Sequence, residues 1–296
     1  MPSNRTVAIL EATLVTFLWS SSYIFIKMGL DEISPMTFAA YRYVLASLIL
    51  LFYALHRHRE AFNAIGRKRL ALYVVLGFCG YFLAQGLQFY GLFYLEAITV
   101  TFILNLTPIF VLIFSMSFLG EFPVKRQVAG MAIALVGVLV FFQGQGLQFD
   151  QKLGIALTLI SGIGWASYMV LTRSVVKASE DDLLVMTSLS MLSGSLMLMF
   201  GATVSGGISP PSFNGMMIIM WLAVANTAFA FFLWNHALGT LKAYEQSILQ
   251  NTMLIQISVL AILFLNESLN LQKTIGVSIV FFGVLLVMLN KKKKRG

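Results

Sequence analysis

Polar side chains recur at helical spacing inside runs that are otherwise apolar, and any chemistry in this sequence has to be sought there. Tyr81, Gln85 and Gln88 follow one another at steps of four and three, one stripe of a helix. Thr101, Asn105 and Pro108 repeat the pattern, and Ser247 and Asn251 repeat it again beside Gln246 and Gln250. A further run holds Asn226, and two more hold Trp19, Ser22 and Tyr23, and Trp165, Ser167 and Tyr168. Such residues hydrogen-bond a solute or stack on it. In hydrocarbon they are costly unless they face a cavity or another helix. The six runs are therefore expected to enclose a central polar and aromatic cavity, the alternative for each residue being a bond between helices unrelated to any solute.

The ionisable residues divide by depth. Glu11 is the carboxylate set well inside an apolar run, about 7 to 8 Å beyond Thr6 at 1.5 Å per residue; it either snorkels to the interface or serves as a proton site. Lys27 and Arg173 stand near the ends of runs, where long stems reach the interface and a positional or gating role is expected. Arg42 lies about two turns into its run and is expected to pair with Asp31, Glu32 or Glu96, the alternative being a carboxylate on a solute. Enzyme signatures are missing: there is no HExxH and no pair of membrane aspartates, while His56 and His58 lie in a basic loop and His236 near a helix end. Cys79 is the single cysteine, which excludes a disulfide framework and a cysteine-based zinc site. No metal or cofactor is expected.

The elements that must position these residues follow from composition. Hydrophobic residues make up 58% of 296, with a mean hydropathy of +0.85, more than a soluble core of this size buries. Apolar runs near 7–29, 36–55, 70–93, 97–119, 126–143, 153–174, 183–204, 215–238, 244–265 and 273–290 are each long enough to cross about 30 Å of hydrocarbon. The expected fold is all-α and integral to the membrane, with ten transmembrane helices. The first run is too long for a signal peptide and is read as a retained helix. Arg57, Arg59, Arg67, Lys68, Arg69, Lys125, Arg126, Arg173, Lys177, Lys242 and the tail "KKKKR" fall on one side under this count. The positive-inside rule then puts both termini in the cytoplasm of a cell-membrane protein. The net charge of +8 is mostly this topological signal, so nucleic acid is not an expected partner.

One register organises the chain. An offset of 146 superposes Trp19 on Trp165, Ser21 on Ser167, Lys27 on Arg173, Asn105 on Asn251, Glu121 on Glu267, Gly130 on Gly276 and "GVL" at 137–139 on "GVL" at 283–285. The chain thus reads as two homologous halves, 7–143 and 153–290, followed by a basic tail at 291–296. Five helices per half is an odd number, so the second half is expected to be inverted in the membrane, the architecture of an alternating-access carrier. Glu121 and Glu267 each precede the last helix of a half and are expected to cap it. Gly130, Gly137, Gly276 and Gly283 recur every seven residues, which suits close packing within the bundle or against a partner chain; a homodimer is allowed. The inversion puts Asn105 and Asn251 in opposite leaflets, where each is expected to bond across the cavity when its own side is closed.

The Trp-Ser-Ser start of the first helix with Lys27 at its end, "YRYVLASL" with Arg42, and the twice-written Asn, Leu-x-Glu and Gly-x6-Gly-Val pattern resemble the EamA family of the drug/metabolite transporter superfamily, over essentially the whole chain. Pro108 marks a departure: Thr107-Pro108 becomes Met253-Leu254 in the second half. The resemblance implies ten helices, cytoplasmic termini and movement of small metabolites, often amino acids and often outward. A nucleotide-sugar or sugar-phosphate carrier of the same superfamily is the runner-up, and a receptor, scaffold or channel the reading from another class.

Overall fold

The structure, a computed structural model, describes residues 5–63, 65–120, 124–143, 148–178, 182–206, 208–250 and 252–288. Among these residues there are helices and connecting loops and no strand. Eight helices are long and apolar enough to cross a membrane, and Met253–Leu265 and Leu271–Gly283 are shorter apolar helices. In chain order the principal helical elements are α1 (Arg5–Gly29), α2 (Pro35–Arg57) and α3 (Arg67–Tyr94). Then come α4 (Ala97–Leu104 and Thr107–Leu119), α5 (Lys125–Phe142), α6 (Phe149–Ala178) and α7 (Leu183–Val204). Last are α8 (Phe213–Thr240), α9 (Ala243–Gln250 and Met253–Leu265) and α10 (Leu271–Met288).

Helices suit this composition because each satisfies its own backbone groups without water, and the sequence supplies their stops. Asp182 accepts from Leu184 N and Val185 N at the start of α7, and the Ser212 hydroxyl accepts from Gly215 N at the start of α8. α4 and α9 both end on left-handed residues, Gly120 (φ 63) and Asn266 (φ 54), the two residue types that reach this region most readily.

Irregularities recur at the 146-residue offset. α4 breaks between Leu104 and Thr107 and α9 between Gln250 and Met253. Pro108, lacking an N–H, accounts for the first break; the second has no proline. α3 widens into a π-helical stretch at Phe78–Gly86 and α8 into another at Val224–Phe229. Packing follows the same exchange: α2 lies on α7, α5 on α10 and α4 on α9, while α1 packs on α8 and α9 as α6 packs on α3 and α4.

The glycine face lies between α5 and α10. A Cβ on Gly137 would stand 2.8 Å from Val280 N and 2.9 Å from Gly276 O, and one on Gly283 would stand 2.6 Å from Gly130 O. The two backbones touch, which requires residues without side chains. Outward, Leu10, Phe17, Phe52, Leu139, Phe200 and Phe282 are exposed. So large an apolar exterior matches a lipid-facing surface.

Candidate functional site

Six helices converge on a central cavity. Trp19, Ser22 and Tyr23 reach it from α1, Arg42 from α2, Gln85 and Gln88 from α3, Leu104 and Thr107 from α4, Ser161 and Trp165 from α6, and Gln250 and Met253 from α9. Its volume is about 30 Å³ for the centre of a water molecule, room for about two waters. The breaks in α4 and α9 bring Leu104, Thr107, Gln250 and Met253 to the cavity wall, and the widened turn of α3 carries Gln85.

Arg42 is 2% exposed. Its Nε donates to Thr227 Oγ1 at 2.6 Å, and its Nη2 to the Asn226 carbonyl at 3.2 Å and to Ser22 Oγ at 3.5 Å. The Tyr43 ring lies beside it, 5.4 Å from the guanidinium carbon to the centroid. Among the described residues no carboxylate lies within ion-pair distance of it. The expected pairing with Asp31, Glu32 or Glu96 is therefore corrected: Glu32 accepts from Ser212 Oγ at 3.0 Å, and Glu96 pairs with Lys273 at 2.7 Å. Arg42 points inward because the widened turn of α8 presents Thr227 and a carbonyl to it.

Asn226 supports this wall from α8. Its Nδ2 donates to Leu18 O at 2.5 Å and to Ser21 and Ser22 Oγ at 3.0 Å, while its carbonyl accepts from Trp19 Nε1 at 3.0 Å. Trp165 Nε1 donates to Gln250 Oε1 at 2.7 Å, and Tyr43 donates to Gln85 Oε1 at 2.7 Å. Behind these lies an aromatic cluster in which Trp19 meets Trp165 edge-on at 5.5 Å, Trp165 stacks on Tyr168 at 5.2 Å, and Phe231 and Trp234 pack 5.2 and 4.8 Å from Trp19.

Several expected cavity residues sit elsewhere. Tyr81 and Tyr168 are fully buried behind the wall, bonded hydroxyl to hydroxyl at 3.1 Å, with Asn235 donating to Tyr168 at 2.8 Å. Gln246 is buried and donates to the Trp234 carbonyl. Ser167 turns away and bonds to Ile163 O of its own helix: it lies about 200° around α6 from Trp165, whereas Ser161 shares the stripe of Trp165 and Tyr168. Asn105 is corrected too, since its Nδ2 donates to Thr101 O at 2.8 Å and Thr101 to Ala97 O at 2.8 Å. It bonds within its own helix and, among the described residues, makes no bond across the cavity. Asn251 and Glu121 lie outside the described residues, as does the side chain of Ser247.

At one end of the bundle Lys27, Asp31, Glu96 and Glu267 share a recess. Glu267 caps a different helix from the one expected. Its Oε1 and Oε2 accept from Ala97 N and Ile98 N of α4 at 2.7 and 3.0 Å, while α10 is capped by Asn270, whose Oδ1 accepts from Lys273 N at 2.7 Å. At the other end Arg173 donates to Leu238 O at 2.6 Å, Arg5 pairs with Glu245 at 2.8 Å, His58 pairs with Asp182, and Glu11 meets His236 at 2.9 Å. Glu11 thus has a histidine partner that sequence reasoning did not assign to it. Tyr43, Phe231, Trp234 and Thr227 were also missed, because an apolar helix gives no sign of which side chain meets which neighbour.

Comparison with known proteins agrees with this architecture. Residues 6–143 and 152–289 each match the EamA-like transporter family. An uncharacterized transporter of Archaeoglobus fulgidus is 27% identical over 96% of this chain and 97% of its own length. The uncharacterized transporter YyaM of Bacillus subtilis is 28% identical over 88% and 86%. A S-adenosylmethionine/S-adenosylhomocysteine transporter of Chlamydia muridarum is 29% identical over 56% of this chain and 55% of its own. A crystal structure of another protein superposes with a TM-score of 0.73 at 16% identity, covering 96% of this chain and 98% of that one, a likeness of fold alone. With both matched segments together spanning nearly its whole length, the chain belongs to the EamA-like transporter family of multi-pass membrane proteins.

Proposed function

We propose that this protein moves a small metabolite, an amino acid or a related compound, outward across the cell membrane by alternating access. Ten spans, inverted five-helix halves and cytoplasmic termini belong to the same reading. The observation that carries it is the recurrence of both broken helices and both π-helical stretches at one offset, around a cavity too small for a metabolite. Related halves can exchange roles, so that states open to either side are built from similar contacts. Discontinuous helices near the cavity are the elements that such an exchange moves. The cavity must widen, since small-molecule sites are about 300 to 1,000 Å³. The substrates for which one relative is named, S-adenosylmethionine and S-adenosylhomocysteine, support a metabolite as the cargo class. A nucleotide-sugar carrier would need several cations on the cavity, and among the described lining residues Arg42 is the only one. The test is metabolite profiling of medium from cells overproducing the protein beside an empty-vector control. An amino acid or related compound accumulating outside is the expected result; unchanged medium with faster uptake would reverse the direction.

A further inference from the structure

We infer that the solute carries a carboxylate and that Arg42 binds it. The inference rests on the transport reading above, and it adds the charge class of the cargo and the residue that reads it. Two independent features of the cavity lead to it.

The first is charge. Arg42 lines the cavity at 2% exposure with hydroxyl and carbonyl partners only. A guanidinium offers five N–H donors. Those on Nε and Nη2 are engaged, whereas Nη1 has no hydrogen-bond partner among the described residues. A buried cation without a counter-charge is expensive, and an anionic solute supplies the missing charge when it binds. The planar fork of arginine matches a carboxylate.

The second is the direction of the neighbouring dipoles. An indole N–H can only donate, so the bond from Trp165 fixes the Gln250 side chain with its oxygen toward the indole. Tyr43 donates to the oxygen of Gln85 at 2.7 Å; a phenol can donate or accept, so it fixes this amide less strictly than the indole fixes Gln250. Two of the three lining amides, Gln85 and Gln250, therefore have an engaged oxygen and an NH2 group that makes no bond among the described residues; Gln88 is the third. The wall presents donors beside a cation, the pattern that complements an anion. No carboxylate is among the described lining residues, so an ammonium group on the solute would meet neutral acceptors only. The carboxylate is thus the feature read by charge. It is shared by amino acids and by organic acids without an amine, and the experiment separates these sources.

The melting temperature of the purified protein in detergent is measured with L-amino acids, the matched 2-oxo acids and the matched amino amides. Wild-type, Arg42→Lys and Arg42→Gln proteins are compared at equal abundance, and the medium of overproducing cells is profiled for each. Acids are expected to raise the melting temperature and amides not; the 2-oxo acids decide whether the amine contributes. Arg42→Gln loses the effect and Arg42→Lys weakens the apparent affinity by about tenfold. If Arg42→Gln is missing from the membrane, Arg42→Lys decides, and unchanged affinity for acids in that variant overturns the assignment. Amides acting as well as acids, or no acid acting at all, also overturn it. A solute without a carboxylate accumulating in the medium overturns it while leaving transport intact. Acids that stabilise a protein which exports nothing leave Arg42 assigned and overturn the transport reading instead.

Discussion

Glu267, in the loop between α9 and α10, holds the first turn of α4 through Ala97: its carboxylate oxygens take the backbone N–H groups of Ala97 at 2.7 Å and Ile98 at 3.0 Å. The two residues are 170 positions apart, so the bond ties one half of the chain to the other at the end where Lys27 and Glu96 also lie. A carboxylate on two first-turn amides that have no partner within the helix, at its positive end, is a charge-assisted cap. Glu267→Gln keeps one acceptor and loses the charge, and is expected to cost about 1 to 2 kcal/mol. A thermal melt of the purified variant checks this; a wild-type melting temperature with altered substrate preference would show that the residue acts on the solute.

The contact between α5 and α10 has no room for side chains. Gly276→Leu would drive its Cβ to 2.9 Å from Gly137 O and 2.8 Å from Phe141 Cβ. Since backbone must move to admit it, the expected cost is about 3 kcal/mol or more. Size-exclusion profiles of a fluorescent fusion should lose the monodisperse peak, whereas Gly66→Ala, where nothing lies within 4 Å, should retain it.

Asn105 stabilises the break in α4 through Thr101 O, a bond within one helix. Asn105→Ala is expected to cost about 0.6 kcal/mol and no more than about 1.7, with little change in which side of the cavity is open. Cysteine labelling of cavity positions from outside is the measurement, and a marked shift toward one open state would restore a gating role.

Glu11 and His236 join α1 to α8 at 2.9 Å, with side chains 17% and 36% exposed. A partly solvated pair is worth little, about 0.5 to 1 kcal/mol after screening. In a double-mutant cycle with Glu11→Gln and His236→Ala, that value is the expected coupling. Additive effects would mean that the pair contributes nothing to stability.

The proposed orientation places Ser209 outside and the tail inside. An impermeant thiol reagent should label Ser209→Cys in sealed cells and spare a cysteine added after Asn290. Equal labelling of both would remove the ten-span topology.

The sequence by itself determined the apolar runs, because a bilayer demands about twenty consecutive apolar residues and helical hydrogen bonding is local. It also carried the offset of 146, at which the helix breaks and the widened turns recur, and the stripe that brings Gln85, Gln88, Trp165 and Gln250 to one cavity. Only the tertiary structure decided the partners. Glu267 precedes α10, and chain proximity favours a cap there, but the fold brings the α4 terminus closer and leaves α10 to Asn270. Arg42 has acidic residues nearby in sequence, yet the α8 backbone that meets it lies 184 positions away. Phe231 and Trp234 look like lipid-facing residues until α1 and α6 are packed against them. Periodicity sets the angle of a side chain around its own helix; which neighbour stands at that angle depends on how all the helices pack.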